Sequence, residues 1–204
     1  MKKIILLLTV TTFTSAAFAQ FDIKYGAKAG ANFSGVTGNV TGQVSTSNFS
    51  AIGFNAGVFA EAEVAKGFVV RLEPQYSQIG GKLNFTDAAG TNFPNAKFTF
   101  GYLAVPVLVR YNIEQVEGLG VFLGPQVGFL LNAKADLGTS KDVKSSFKST
   151  DFAGVGGVEY QLPNMGLFFD ARYQYGFGNI ANNGNVVNQA ASISVGYKFG
   201  TKKK

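Results

Sequence analysis

After residue 19 the chain keeps one pattern. Eight segments alternate apolar side chains with small or polar ones, and the connections between them run long, short, long, short, long, short, long. The segments span about 24–36, 51–64, 68–80, 98–111, 119–132, 152–161, 166–175 and 190–199. Their period is two, the mark of strands, and not the 3.6 of helices. The short connections lie at 64–67, 112–118 and 161–166; the long ones lie at 37–50, 81–97, 133–151 and 176–189. An even number of strands puts both chain ends on the side of the short turns. A soluble sheet has no reason to gather its long loops on one side. A barrel threaded through an outer membrane does, with turns in the periplasm and loops outside. The expected fold is all-β: an eight-stranded antiparallel up-and-down transmembrane β-barrel.

Charge tells the two faces apart. One parity carries Lys28, Glu61, Glu63, Arg71, Glu73, Arg110, Glu159, Asp170, Arg172 and Lys198, five of each sign. The other parity is built from residues such as Ile52, Phe54, Val58, Leu103, Val107, Leu123, Phe169 and Val195, with no charge in the segment bodies. An Arg or Lys facing lipid at the midplane costs about 2–4 kcal/mol, so the uncharged parity suits the outside. An eight-stranded barrel has room inside only for side chains. Charges packed there must pair, because breaking a buried pair costs about 3–5 kcal/mol. The ten charges are therefore candidates for a salt-bridge plug in the lumen. A proton relay or ligand site among Arg71, Glu73, Glu159, Asp170 and Arg172 is the sharper alternative.

Ahead of this pattern stands an export signal. Lys2 and Lys3 precede an apolar run from Ile4 to Val10, and Ala17-Phe18-Ala19 fits an A-x-A cleavage site, so residues 1–19 are expected to be removed. The run is too short to span a bilayer, which takes about 20 residues. The remaining 185 of 204 residues form one expected domain, 20–204. No later stretch is long and apolar enough for a transmembrane helix. Without Lys2 and Lys3 the formal charge falls from +6 to +4, and three of those charges are Lys202, Lys203 and Lys204. The body is nearly neutral and has no basic stripe, so nucleic acid is not an expected partner.

Catalysis finds little footing. The chain has no His and no Cys, so no Ser-His or Cys-His nucleophile can be assembled. Thiolate metal sites and disulfides are excluded too. Glu61 and Glu63 share a strand face, but a filled lumen admits no substrate. Gly154, Gly156 and Gly157 open no helix, so they are no phosphate cradle; they let strands approach closely. No cofactor and no metal is expected. Tyr25, Phe68, Tyr76, Tyr111, Phe129, Phe152, Tyr160, Tyr175, Tyr197 and Phe199 lie near segment ends, as interfacial girdles do. The third long loop mixes Lys134, Lys141, Lys144 and Lys148 with Asp136, Asp142 and Asp151. Mixed signs are usual for a solvated loop; contact with an anionic partner is the alternative.

The order G-A-K-A-G-A-N-F-S at 26–34, V-V-R-L-E-P-Q-Y-S at 69–77, Y-L-A-V-P-V-L-V-R-Y at 102–111 and G-P-Q-V-G-F-L-L-N-A-K at 124–134 resembles the PorT-type outer-membrane β-barrel family of Bacteroidetes. The resemblance implies an eight-stranded barrel with a periplasmic N-terminus. Outer-membrane barrels tend to end on an aromatic residue; here Phe199 is followed by Gly-Thr and three Lys. The expected partners are outer-membrane lipid and lipopolysaccharide, the barrel assembly machinery, and an unidentified envelope protein. The expected state is a monomer. The functional expectation is a non-catalytic structural or interaction role, through the long loops or periplasmic partners. A narrow pore or secretion-associated barrel is the alternative, and a soluble lipocalin-like carrier a further one.

Overall fold

The computed structural model describes residues 22–40, 43–46, 50–86, 92–136, 140–181 and 185–200. The expected signal segment, Lys202 to Lys204 and parts of all four long connections lie outside the described residues.

Among the described residues, eleven strands form one sheet. They are β1 (Ile23–Val40), β2 (Gln43–Thr46), β3 (Ala51–Ala65), β4 (Phe68–Leu72), β5 (Gln75–Thr86), β6 (Asn92–Asn112), β7 (Leu119–Asp136), β8 (Ser140–Asp142), β9 (Thr150–Gln161), β10 (Leu167–Gly176) and β11 (Asn185–Phe199). Every pairing is antiparallel. β1 pairs with β11 on one side, from Tyr25–Phe199 to Asn39–Asn185, and with β3 on the other, from Ile23–Ala62 to Ser34–Ala51. Those two seams close the sheet into a barrel. Closure removes the open edges that lipid would not tolerate.

The strand count differs from the eight segments of the sequence for two reasons. The third segment is divided at Glu73–Pro74, because proline has no N–H to give the ladder. The break stays bridged: Val58 N–H donates to Pro74 O and Glu73 N–H to Pro106 O, both at 3.1 Å. The other reason is that two short strands, β2 and β8, form inside connections that the sequence reads as loops.

Several strands also run further than their alternating cores. β6 has 21 residues and β1 and β7 have 18, where about 9–11 cross the bilayer. The excess lies on the side of the long connections, so those connections are largely hairpin. A register shift opposite Gly101/Tyr102 shows why the alternation in β7 stops being legible. Past it the parity flips. Ala133 and Ala135 are buried, whereas Lys134 and Asp136 are exposed. The outward parity thus does carry charge beyond the segment bodies: Lys82, Lys97, Lys134 and Asp136 are all exposed, near the long-loop rim.

Outward side chains are apolar along the body. Ile52 is 75 % exposed and Leu123 70 %, an arrangement stable only against lipid. Two aromatic girdles bound this band. Tyr25, Phe68, Tyr111, Tyr160, Tyr197 and Phe199 are exposed at the turn end; Phe129, Phe152, Tyr175 and Phe177 are exposed towards the loop end. Phe68 and Tyr111 face each other across strands with centroids 5.0 Å apart. A soluble carrier would need the apolar parity inside, so the lipocalin-like alternative fails on orientation.

Candidate functional site

The interior is the part of the molecule with chemistry to explain, and it is stratified along the barrel axis. Inward parity at the turn end delivers charges. Glu61 comes from β3, Arg71 from β4, Arg110 from β6, Glu159 from β9 and Lys198 from β11. Arg71 is the hub. Its Nε and Nη2 donate to Glu61 Oε2 at 2.8 and 2.5 Å, and its Nη1 donates to Glu159 Oε2 at 2.6 Å. Arg110 Nη1 donates to Glu159 Oε1. Lys198 Nζ lies 2.9 Å from Glu159 and 3.1 Å from Glu61.

One level up is a second cluster. Lys28 Nζ sits 3.0 Å from both Glu73 Oε1 and Asp170 Oδ2. Arg172 Nη1 reaches Glu73 at 2.7 Å and its Nη2 reaches Asp170 at 2.8 Å. A longer contact, Arg71 Nη1 to Glu73 Oε2 at 3.9 Å, joins the two levels. All nine side chains are buried. Taking so many ions out of water is costly, and such a cluster holds only when lone pairs and N–H groups are matched nearly one for one.

Three inward aromatics line this layer. Arg71 lies 4.5 Å from the centroid of Phe59 and 5.3 Å from that of Phe168, two rings in edge-to-face contact at 5.6 Å. Arg172 lies over Phe122 at 5.0 Å. The rings fit because neighbouring strands present no side chain beneath them. A Cβ on Gly26 would come within 2.2 Å of Phe59 Cζ, and one on Gly196 within 2.3 Å of Phe168 Cζ. The glycines of the inward parity are the sequence signal for these rings, and alternation alone does not reveal it.

Above the charges lies a layer of amides and hydroxyls. Asn55 Nδ2 donates to Asn32 Oδ1 at 2.7 Å, Asn32 Nδ2 donates to Gln78 O at 2.9 Å, and Ser194 Oγ donates to Asn55 Oδ1 at 3.2 Å. Gln75, Gln126, Asp151 and Asn188 are buried nearby on the same inward face. The loop end is closed by an apolar cluster. Val36, Ile79, Phe100, Tyr102, Leu130, Ala133, Ile180, Ala181, Val186 and Ala190 form it, with Phe98, Val143 and Phe147 packed against it. Val143, Phe147, Ile180 and Ala181 come from two connections, which are stitched together over the barrel by a bridge between Phe147 and Ala181 and by Lys148 N–H to Ile180 O at 2.8 Å.

Nine of the ten charges read from the sequence therefore meet inside, and Glu63 does not. It is exposed at the turn between β3 and β4, where its carboxylate accepts the Gly67 N–H at 3.1 Å. The register shifts between Glu63 and Ala65, so this end of β3 lies past the layer where inward parity means burial. Without Glu63 the set holds five bases and four acids. Among the described residues the fifth buried acid is Asp151, which the sequence places in a loop and the structure places in β9. Lys134, Lys141, Lys144 and Lys148 are exposed, as a solvated connection requires.

Comparison with known proteins agrees with this architecture. A family model described as "Outer membrane protein beta-barrel domain" matches residues 18–182. The fold is similar to a major outer membrane protein of Thermus thermophilus, at 16 % identity and TM-score 0.54 over 87 % of this chain and 99 % of that one. It is similar to Neisserial surface protein A, at 18 % identity and TM-score 0.52 over 86 % and 97 %. It is also similar to Ail, the attachment invasion locus protein of Yersinia pestis, at 19 % identity and TM-score 0.51 over 86 % and 98 %. No curated protein matches the chain. At these identities the solved structures speak for the fold alone, whereas the family match covers most of the sequence. The chain belongs to the outer membrane protein beta-barrel domain family and resides in the outer membrane.

Proposed function

We propose that this protein is a closed, non-catalytic barrel of eight staves whose role is structural or interactive. Counting β4 and β5 as one stave and leaving out the short β2 and β8 gives the eight. The observation that carries the reading is the filled interior: nine buried, mutually paired charges at the turn end and an apolar cap at the loop end. Neither layer leaves a substrate a route to the carboxylates, and the chain has no His or Cys to act as base or nucleophile. The work then falls to the outside: the lipid-facing band, the rim with its exposed Lys82, Lys97, Lys134 and Lys144, and the hairpins beyond it. Lipopolysaccharide and an envelope protein are the partners this rim fits. Export by the N-terminal signal, delivery through the barrel assembly machinery, a monomeric state and the PorT-type affiliation belong to the same reading.

The test is electrical. The purified protein in planar bilayers is expected to give no steady single-channel current. Reproducible unitary currents would overturn the plug and favour a narrow pore.

A further inference from the structure

Asp151 is the one buried acid of the interior that has no base beside it among the described residues. The interior bases are engaged elsewhere. Arg172, for example, pairs with Glu73 and Asp170 at the level of Gly157, six residues further along β9, about 20 Å away at a strand's rise. Asp151 Oδ2 accepts from Asn188 Nδ2 at 3.0 Å, and the same Nδ2 donates to Tyr102 Oη at 3.3 Å. Asp151 Oδ1 has no hydrogen-bond partner among the described residues. The same is true of Asn188 Oδ1 and, on the inward face of β7, of Gln126 Oε1. Gln126 stands opposite Ala153 and so lies diagonal to Asp151, within reach of a long side chain. Two glycines stand beside Asp151, and the ring of Tyr102 packs where a Cβ on Gly128 would be, at 3.2 Å. Gly128 pairs directly with Asp151, and a Cβ on Gly176 would lie 3.6 Å from Asp151 Oδ1.

Buried oxygens with lone pairs and no donors are expensive. A shared need for positive charge among oxygen ligands is what a hard cation satisfies. We infer that Asp151, Asn188 and Gln126 form a binding site for a monovalent hard cation, Na⁺ or K⁺, between the amide layer and the apolar cap. One carboxylate among neutral oxygens matches a single positive charge, and a divalent ion would leave charge uncompensated. The apolar cap closes over the site, so the ion enters as the barrel folds and then resists exchange.

The experiment uses the full protein refolded in detergent micelles in NaCl, KCl or tetramethylammonium chloride at equal concentration. Wild type is expected to unfold at a higher temperature in Na⁺ or K⁺ than in tetramethylammonium, and Asp151→Asn is expected to lose that difference. Equal midpoints of the wild type in all three salts would overturn the proposal, as would an undiminished difference in the variant. Should the variant not fold, wild type refolded and crystallised in RbCl, with no other alkali cation present, decides by anomalous scattering. A rubidium peak beside Asp151 Oδ1 supports the site, and its absence refutes it.

Discussion

The two ends of the barrel interior solve the same filling problem with opposite chemistry. At the turn end, Lys28, Arg71, Arg110, Arg172 and Lys198 meet Glu61, Glu73, Glu159 and Asp170 in a lattice of ion pairs. At the loop end, Phe100, Leu130, Ile180 and Val186 meet in an apolar cluster. The charged end is made by strands alone, and its residues are held by ladder register. The apolar end needs two connections to fold back, with Phe147 and Ile180 as their anchors. Ion pairs demand fixed partners at fixed distances, so they suit the rigid staves. Apolar contacts are non-directional and tolerate the looser geometry of loops. The difference teaches that one barrel can be sealed twice, once by specific pairing and once by packing.

The largest expected effect comes from breaking the charged end at its most connected acid. Glu159→Ala leaves Arg71, Arg110 and Lys198 short of a partner. The loss should be about 3–5 kcal/mol, the cost of an uncompensated buried ion, read from urea unfolding in lipid vesicles. A loss below about 1 kcal/mol would mean that water enters this layer freely. At the apolar end Ile180→Ala should cost about 2–4 kcal/mol through the cavity it leaves. It should also speed protease cleavage of the neighbouring connections while the planar-bilayer current stays at zero, because the charged seal is untouched. Current appearing in this variant would show that the cap, and not the ion-pair lattice, is the barrier.

A smaller effect probes the ring packing that supports Arg71. Gly196→Val places a side chain where Phe168 Cζ already stands, 2.3 Å from the new Cβ. Overpacking of this kind costs about 1–3 kcal/mol, and replacing Phe168 with Leu in the same chain should recover part of it. The smallest expected effect is that of Glu63→Gln. Its carboxylate is exposed at the turn, so unfolding should be unchanged within error. A loss comparable to that of Glu159→Ala would return Glu63 to the lattice.

Alternation made most of the strand bodies legible, since the side-chain period of a strand is two and lipid admits no charge on the outer parity. Where the alternation is interrupted, the reading ends too early. The register shift opposite Gly101/Tyr102 hides the continuation of β7, and Glu73–Pro74 hides a division. Asp151 shows the same limit at the candidate site. Its neighbours in sequence, Ser149 and Thr150, look like loop, and only pairing with Gly128 brings it inside.

By itself, the sequence determined that this chain alternates with period two, carries its strand-body charges on one parity, and lacks the residues for His- or Cys-based catalysis. The last is composition alone, and the first two are local: each depends on neighbours along one strand. Only the tertiary structure decided which acid meets which base, that Glu63 stays out, and that Asp151 comes in beside Asn188. Those outcomes depend on register between strands far apart in the chain. The partners of Lys28, for example, include Asp170, 142 residues away. Register is fixed by bulges, glycine clearances and closure of the ring, and a one-residue slip would turn every one of these side chains to the other face.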